Sequence, residues 1–147
     1  MDERGSIVET TTITESRVDS LALAPGAALV SVRNAYIALG LEPNYVDPAK
    51  GIVGIRQGIV ARRLQGVPVT AYVDCGLDMN GVPFAANDRV EVTMLTEVRP
   101  SGTGATMITS LAARALRTSS GASVNPQRCA SRGSLERKLA GVVKGAP

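Results

Sequence analysis

The sequence predicts an α+β fold. It reads as a curved antiparallel sheet of about five to six strands packed on one long helix at about 26–39, with a short C-terminal helix at about 134–143. Three observations lead to this reading. An apolar helical stripe follows Pro25-Gly26 and ends at Gly40, Arg89–Arg99 alternates apolar and polar residues without a break, and a last amphipathic segment opens at Ser134. At 147 residues the chain is read as a single domain, 1–147, with 1–5 and 144–147 frayed.

The first element lies at Ser6–Glu15, where Ile7, Glu9, Thr11 and Ile13 alternate against Val8, Thr10, Thr12 and Thr14. Such β-branched density favours a strand. Arg17–Ala24 extends it or forms a short second strand. In the helix, Leu29, Val32, Tyr36 and Leu39 recur at spacings of three, four and three, which places them on one stripe. Ala28 and Ala35 widen the stripe, and Ser31, Arg33 and Asn34 fall on the polar side. Pro25 suits the first turn, where a missing N–H costs little. Gly40 stands where a left-handed cap belongs. Leu41–Val46 is then extended, Asp47–Gly51 is a turn and Ile52–Ile59 returns as a strand, so the helix feeds straight into a hairpin.

Ala61–Gly66 is a polar connection, and Val67–Asp74 is the next strand, with Val67, Val69, Ala71 and Val73 on one face. The loop Cys75–Asp88 holds Asn80-Gly81, a tight-turn pair because both residues tolerate positive φ. In Arg89–Arg99, Val90, Val92, Met94, Thr96 and Val98 point one way, while Glu91, Thr93, Leu95, Glu97 and Arg99 point the other. That is the pattern of a half-buried antiparallel strand. Pro100–Gly104 is a hairpin loop. Ala105–Arg117 fits a helical face (Met107, Ile108, Leu111, Ala112, Ala115) or a strand face (Met107, Thr109, Leu111, Ala113), and the tight loop behind a clear strand favours the strand. Thr118–Arg128 is a loop rich in Ser, Gly and Asn. Ser134 then caps the terminal helix, with Glu136 favourable in its first turn. Leu135, Leu139 and Val142 form its apolar stripe, and Arg137 and Lys138 face water.

Composition narrows the functional classes. Apolar residues make up 44% of the chain, yet it has one Phe, three Tyr and no Trp, so the core must be built from Val, Ile, Leu, Ala and Met. No apolar run approaches the roughly 20 residues that cross a bilayer. Met1–Arg4 leads into polar, Thr-rich sequence and not into a signal peptide. Taken literally that points to the cytoplasm; a chain whose leader had been removed would look the same. The net charge of +3 hides an asymmetry: 8 basic and 12 acidic residues up to Val98 give −4, and 8 basic residues with Glu136 alone from Arg99 onward give +7. A basic end attracts nucleic acid, anionic lipid or an acidic protein. It also serves simply as a solvated surface that neutralises the acidic part, which is the favoured reading. Nucleic acid is disfavoured as a partner because Tyr36, Tyr45, Tyr72 and Phe84 all lie outside the basic end, which therefore lacks a stacking platform.

Cys75 ends one strand and Cys129 precedes the last helix. A disulfide between them would close a loop of about 55 residues and contribute about 4 kcal/mol on the chain-entropy account. It would also place the protein in an oxidising compartment. The competing reading is two reduced, half-buried thiols acting as small hydrophobes. The small polar flanks of both residues favour the bridge. Without His, neither cysteine has the usual base, and two cysteines alone cannot fill a structural zinc site. Asp74, Asp78, Asn80 and Asp88 surround one loop, but the calcium-loop pattern fails at Gly76 and at Asn87, which leaves a solvated turn. Gly102-Thr103-Gly104 lacks the third glycine of a phosphate loop and reads as a hairpin. The carboxylate pairs Glu91/Glu97 and Asp74/Asp88 follow from strand spacing and turn chemistry. No catalytic, cofactor-binding or metal-binding residue is assigned, and the chain is read as not an enzyme.

Ala35-Tyr36-Ile37-Ala38-Leu39-Gly40, followed by Asn44–Asp47 and Gly51-Ile52-Val53, resembles a pattern of small bacterial cell-envelope lipoproteins. In these a helix ending in Leu-Gly leads to a strand, an acidic turn and another strand. The pattern is similar to the helix-and-sheet domains of the lipoprotein component of the outer-membrane β-barrel assembly machine. Cys129–Glu136 likewise resembles the end of secreted proteins whose second cysteine precedes a closing helix. Together these segments cover about a third of the chain. The resemblance implies an envelope location and an interaction role, transfers no functional residue, and comes without an acylatable cysteine near Met1. The expected function is a non-enzymatic, periplasmic or extracellular domain that binds or scaffolds a protein or another envelope component. The alternative is a small-molecule carrier with an apolar cavity between helix and sheet, and the alternative location is cytoplasmic.

Overall fold

In chain order the elements are β1 (Arg17–Leu21), α1 (Pro25–Ala38), β2 (Tyr45–Asp47), β3 (Ile52–Ala61), β4 (Arg63–Leu64), β5 (Val67–Pro68), a 3₁₀ turn at Val69–Ala71, β6 (Val73–Asp74), β7 (Arg89–Ser101), β8 (Gly104–Leu116), β9 (Thr118–Ser119), β10 (Ala122–Ser123), β11 (Gln127–Ser131) and α2 (Ser134–Val143). They come from a computed structural model that describes residues 16–77, 79–83, 85, 89–116, 118–119, 122–123 and 127–145. The strand expected at Ser6–Glu15 lies outside the described residues, as do Asp78, Phe84 and Asp88.

The fold is α+β, with a large antiparallel sheet and two helices. The main sheet has seven strands in the order β2-β3-β7-β8-β11-β6, with β1 also paired to β8, against the five to six expected. β7 and β8 are its spine, paired from Arg89↔Leu116 to Ser101↔Gly104 across a turn of Gly102 and Thr103. The expected hairpin loop is thus shorter, because both strands run further. The free edge of β8 is divided: β1 pairs with 105–109 and β11 with 113–115. The ambiguous segment is therefore a strand, Gly104–Leu116.

Alternation explains which face is covered. On β7, Val90, Val92, Met94, Thr96 and Val98 are buried; on β8, Ala105, Met107, Thr109, Leu111 and Ala115 are buried. Ala28, Val32, Ala35 and Tyr36 of α1 and Leu135, Leu139 and Val143 of α2 join them in one core. Both expected helices are present, but both are short, so the long helix of the expectation is not shown. α1 is 14 residues and α2 is 10, and they touch one another within the core layer. With few aromatic side chains, one short helix covers little area, and a second is needed to exclude water.

Local chemistry sets the boundaries. Leu41 N–H bonds Tyr36 C=O and Gly40 N–H bonds Ile37 C=O, a Schellman closure of α1 that requires the positive φ of 74° at Gly40. In β3, Ile55 faces Met94 and Ile59 faces Val92, four steps against two, so β3 carries two extra residues there. The Asn44 amide satisfies that bulge, accepting from Arg56 N–H and Gln57 N–H and donating to Gln57 C=O at 2.8 Å. Beside it, a Cβ on Gly54 would collide with the carbonyl oxygen of Met94. Small size at Gly54 is thus what lets β3 approach β7.

Three expected elements differ. Thr118–Arg128, expected as a loop, holds β9 and β10, which pair with one another, and the first residues of β11. Val67–Asp74 is not one strand: Pro68 offers no N–H to a ladder, and the burial of Val69, Tyr72 and Val73 follows a turn and not alternation. Ala61–Gly66, expected as a connection, ends β3 and contains β4, which pairs with β5. In α2 the N-cap is Gly133, and Ser134 instead donates its hydroxyl to Ala71 C=O at 2.7 Å, tying the helix to the 3₁₀ turn. The buried stripe is Leu135, Glu136, Leu139, Ala140 and Val143, while Val142 is exposed, because the helix is rotated toward the Glu136 side. Lys144 closes α2 and pairs with Asp19 at 3.0 Å.

Candidate functional site

Along one flank of α1 runs an apolar groove of about 540 Å³, within the range of about 300–1,000 Å³ typical of ligand sites. Three elements build it. α1 supplies Leu29 and Val30, β2 supplies Val46 and the turn after it Pro48, and the end of β7 supplies Val98 and Pro100. The hairpin is held in place by Val98 N–H donating to Gly51 C=O at 2.7 Å and by Lys50 N–H donating to Asp47 Oδ1. Val30 is 60% exposed and Val46 is 43% exposed, whereas Val98 is buried, so the groove opens outward from the edge of the core.

The charged side chains that line this groove are basic. Arg33, Lys50 and Arg99 line it and no carboxylate does among the described residues, although Asp47 and Glu97 stand beside it. Arg99 is engaged by Glu97, with Nε–Oε2 at 3.0 Å and Nη2–Oε1 at 3.1 Å, which holds its guanidinium more firmly protonated. Arg33 and Lys50 have no ion pair among the described residues. α1 begins beside the groove with Pro25 in its first turn, no side-chain cap and no acidic residue there. The positive end of its dipole is left without a counter-charge from its own first turn.

Away from the groove, three polar sites stabilise the fold. Tyr36 Oη lies 2.9 Å from Thr96 Oγ1, which lies 3.0 Å from Thr109 Oγ1, and Tyr36 Oη donates to Met94 C=O at 3.3 Å. Burial pushes the Tyr36 phenol well above its ordinary value; the Glu136 charge adds to this and the Thr96 hydrogen bond opposes it. Asp19, buried on β1, is gripped by Arg17 at 2.9 Å and Lys144 at 3.0 Å. Burial works to raise its carboxyl, but these two cations outweigh it and hold it below the usual carboxylate value. Glu136, expected at the helix surface, is instead buried; Oε2 accepts from Ser131 Oγ at 2.6 Å, and Ser131 Oγ in turn accepts Gly133 N–H. This relay caps the start of α2.

The residues singled out by the sequence are placed as follows. Cys75 and Cys129 form a disulfide, joining the segment after β6 to β11 across a separation of 54 residues. Asp74 Oδ1 accepts Gly76 N–H at 2.9 Å, a turn within its own loop. Among the described residues no three of His, Cys, Asp and Glu gather closely enough to hold a metal ion. Glu91 and Glu97 are not brought together as an acid–base pair; Glu91 binds Arg114 at 2.5 Å and Glu97 binds Arg99. Several basic residues of the C-terminal third are thus matched to acidic residues earlier in the chain. No helix among the described residues is long and apolar enough to cross a membrane. The groove residues were missed by sequence reasoning. The available signal was Val30, which stands off the apolar stripe of α1, together with Val46 at the end of the segment read as extended and Pro48 in the turn that follows it. Compared with protein-family models, with curated proteins and with solved structures, the chain matches none.

Proposed function

We propose that the chain is a non-enzymatic binding or scaffolding domain of the cell envelope, periplasmic or extracellular, and that its contact surface is the groove beside α1. The groove is the observation that carries the binding role: open apolar side chains are concentrated where helix, hairpin and β7 meet. The Cys75–Cys129 bridge supports an oxidising compartment, and the helix-and-hairpin resemblance to envelope lipoproteins points the same way. The partner is a protein or another envelope component. The test is a photo-crosslinking residue placed at Val30 in the groove or at Val18, which is 62% exposed and lies on β1 outside it. In cells of the native host, adducts should form from position 30 and not from position 18. Equal labelling at both positions, or none at position 30, would overturn the reading.

A second reading, a carrier of small apolar molecules, is favoured by the volume of the same groove. Native mass spectrometry of protein taken directly from its compartment separates the two, because a carrier retains a small ligand and a docking domain does not.

A further inference from the structure

We infer that the envelope component received by the groove is a single-chain anionic lipid, its acyl chain lying along the apolar walls and its head at the cationic rim. This rests on the groove being the binding surface and on the carrier reading of it, since a single-chain lipid is a small ligand. The walls offer the tail Leu29 and Val30 on one side, Val46 and Pro48 on the other, with Val98 at the β7 end. A polar or doubly charged ligand would desolvate against these side chains without recompense. The rim decides the sign of the head. Arg33, Lys50 and Arg99 line the groove with no carboxylate among its described lining residues. Arg99 is already matched by Glu97, so Arg33 and Lys50 are the two cations left without an ion pair among the described residues. The start of α1, uncompensated in its own first turn, adds positive potential. An amine head would meet the unpaired cations Arg33 and Lys50, and a neutral head would leave both unused. At about 540 Å³ the groove is of a size for one chain with its head.

The test uses the disulfide-bonded chain and three amphiphiles of equal length, laurate, dodecanol and dodecylamine. Each is titrated below its micelle concentration against a bound apolar fluorophore, 1-N-phenylnaphthylamine. Laurate should displace the probe at concentrations roughly 3- to 10-fold below dodecanol, the effect of one or two exposed ion pairs, and dodecylamine should be weakest. Raising salt should erase the advantage of laurate over dodecanol. The double variant Arg33→Ala/Lys50→Ala should remove the same advantage while leaving dodecanol unchanged, and Val30→Asp should weaken both. Because Val30 and Lys50 are exposed, circular dichroism of each variant should match the parent, and Val46→Asp serves as a second groove variant.

Equal displacement by laurate and dodecanol would overturn the anionic assignment and leave the groove as an apolar site. Failure of the probe to bind, or binding that is indifferent to both Val30→Asp and Val46→Asp, would overturn the groove reading itself. Binding to vesicles of anionic diacyl phospholipid with no displacement by monomeric laurate would replace the single-chain ligand by a membrane surface.

Discussion

The hydroxyl chain beneath α1 permits a prediction that depends on the direction of its protons. Tyr36, Thr96 and Thr109 are each fully buried, and their contacts allow one assignment in which all three protons find an acceptor. Thr109 donates to Thr96, Thr96 to Tyr36, and Tyr36 to Met94 C=O. The two ends of the chain then differ. Tyr36→Phe removes the acceptor for Thr96, whose proton can turn only toward Thr109 and so leaves one buried hydroxyl without an acceptor. That costs about 1–3 kcal/mol. Thr109→Val removes only a donor, keeps the shape of the side chain and leaves Thr96 bonded to Tyr36, so its cost stays within about 1 kcal/mol. Removing all three hydroxyls, in Tyr36→Phe/Thr96→Val/Thr109→Val, should recover part of the Tyr36→Phe loss, because no buried proton is left unmatched. Urea unfolding followed by circular dichroism at neutral pH measures each difference. A Thr109→Val variant as destabilised as Tyr36→Phe would refute the donor order.

Two further outcomes follow from the ion pairs and the disulfide. Asp19 is held below its ordinary value of 3.8 by Arg17 and Lys144, so its stabilising contribution is fully present above that pH and is lost as pH falls toward the depressed folded value. The stability gap between wild type and Asp19→Asn should therefore be constant near neutrality and narrow below about pH 4; a gap that widens in acid would reverse the sign. Cys75→Ala/Cys129→Ala, closing no loop of 54 residues, should lose about 4 kcal/mol. Its unfolding midpoint should be insensitive to reductant, whereas that of wild type should fall on reduction. Equal stability of the two proteins without reductant would remove the bridge from the account.

Much of the architecture was legible because local signals agreed with their tertiary setting. Val90 to Val98 alternates in sequence and in burial alike, since a long central strand with one covered face leaves period-two patterning intact. Pro25 and Gly40 marked the ends of α1 for reasons internal to a helix, a dispensable N–H and a left-handed cap. Signals failed where a residue's partner lies far along the chain. Ser134 is a good cap by type, but Ala71 C=O, 63 residues away, takes its hydroxyl. Val142 fits the α2 stripe by spacing, yet the packing of α2 beside α1 turns Val143 inward in its place. The carboxylate of Glu136 goes inward because Ser131 waits there to bind it.

By itself the sequence determined the α+β class, the helix–hairpin unit and the strand at β7, because each is written in periodicity or in turn residues; it favoured the Cys75–Cys129 bridge and a strand at β8, and the structure decided both. The sequence also limited chemistry, through the absence of His. Only the tertiary structure decided that two short helices share the covered face, that β1 and β11 divide the outer edge of β8, and that Asp19 meets Lys144 across 125 residues. The groove belongs to this second group. Its walls come from α1, the β2–β3 turn and the end of β7, segments whose one-dimensional patterns are independent of one another. Their apolar side chains become one surface only when the sheet register brings Gly51 against Val98.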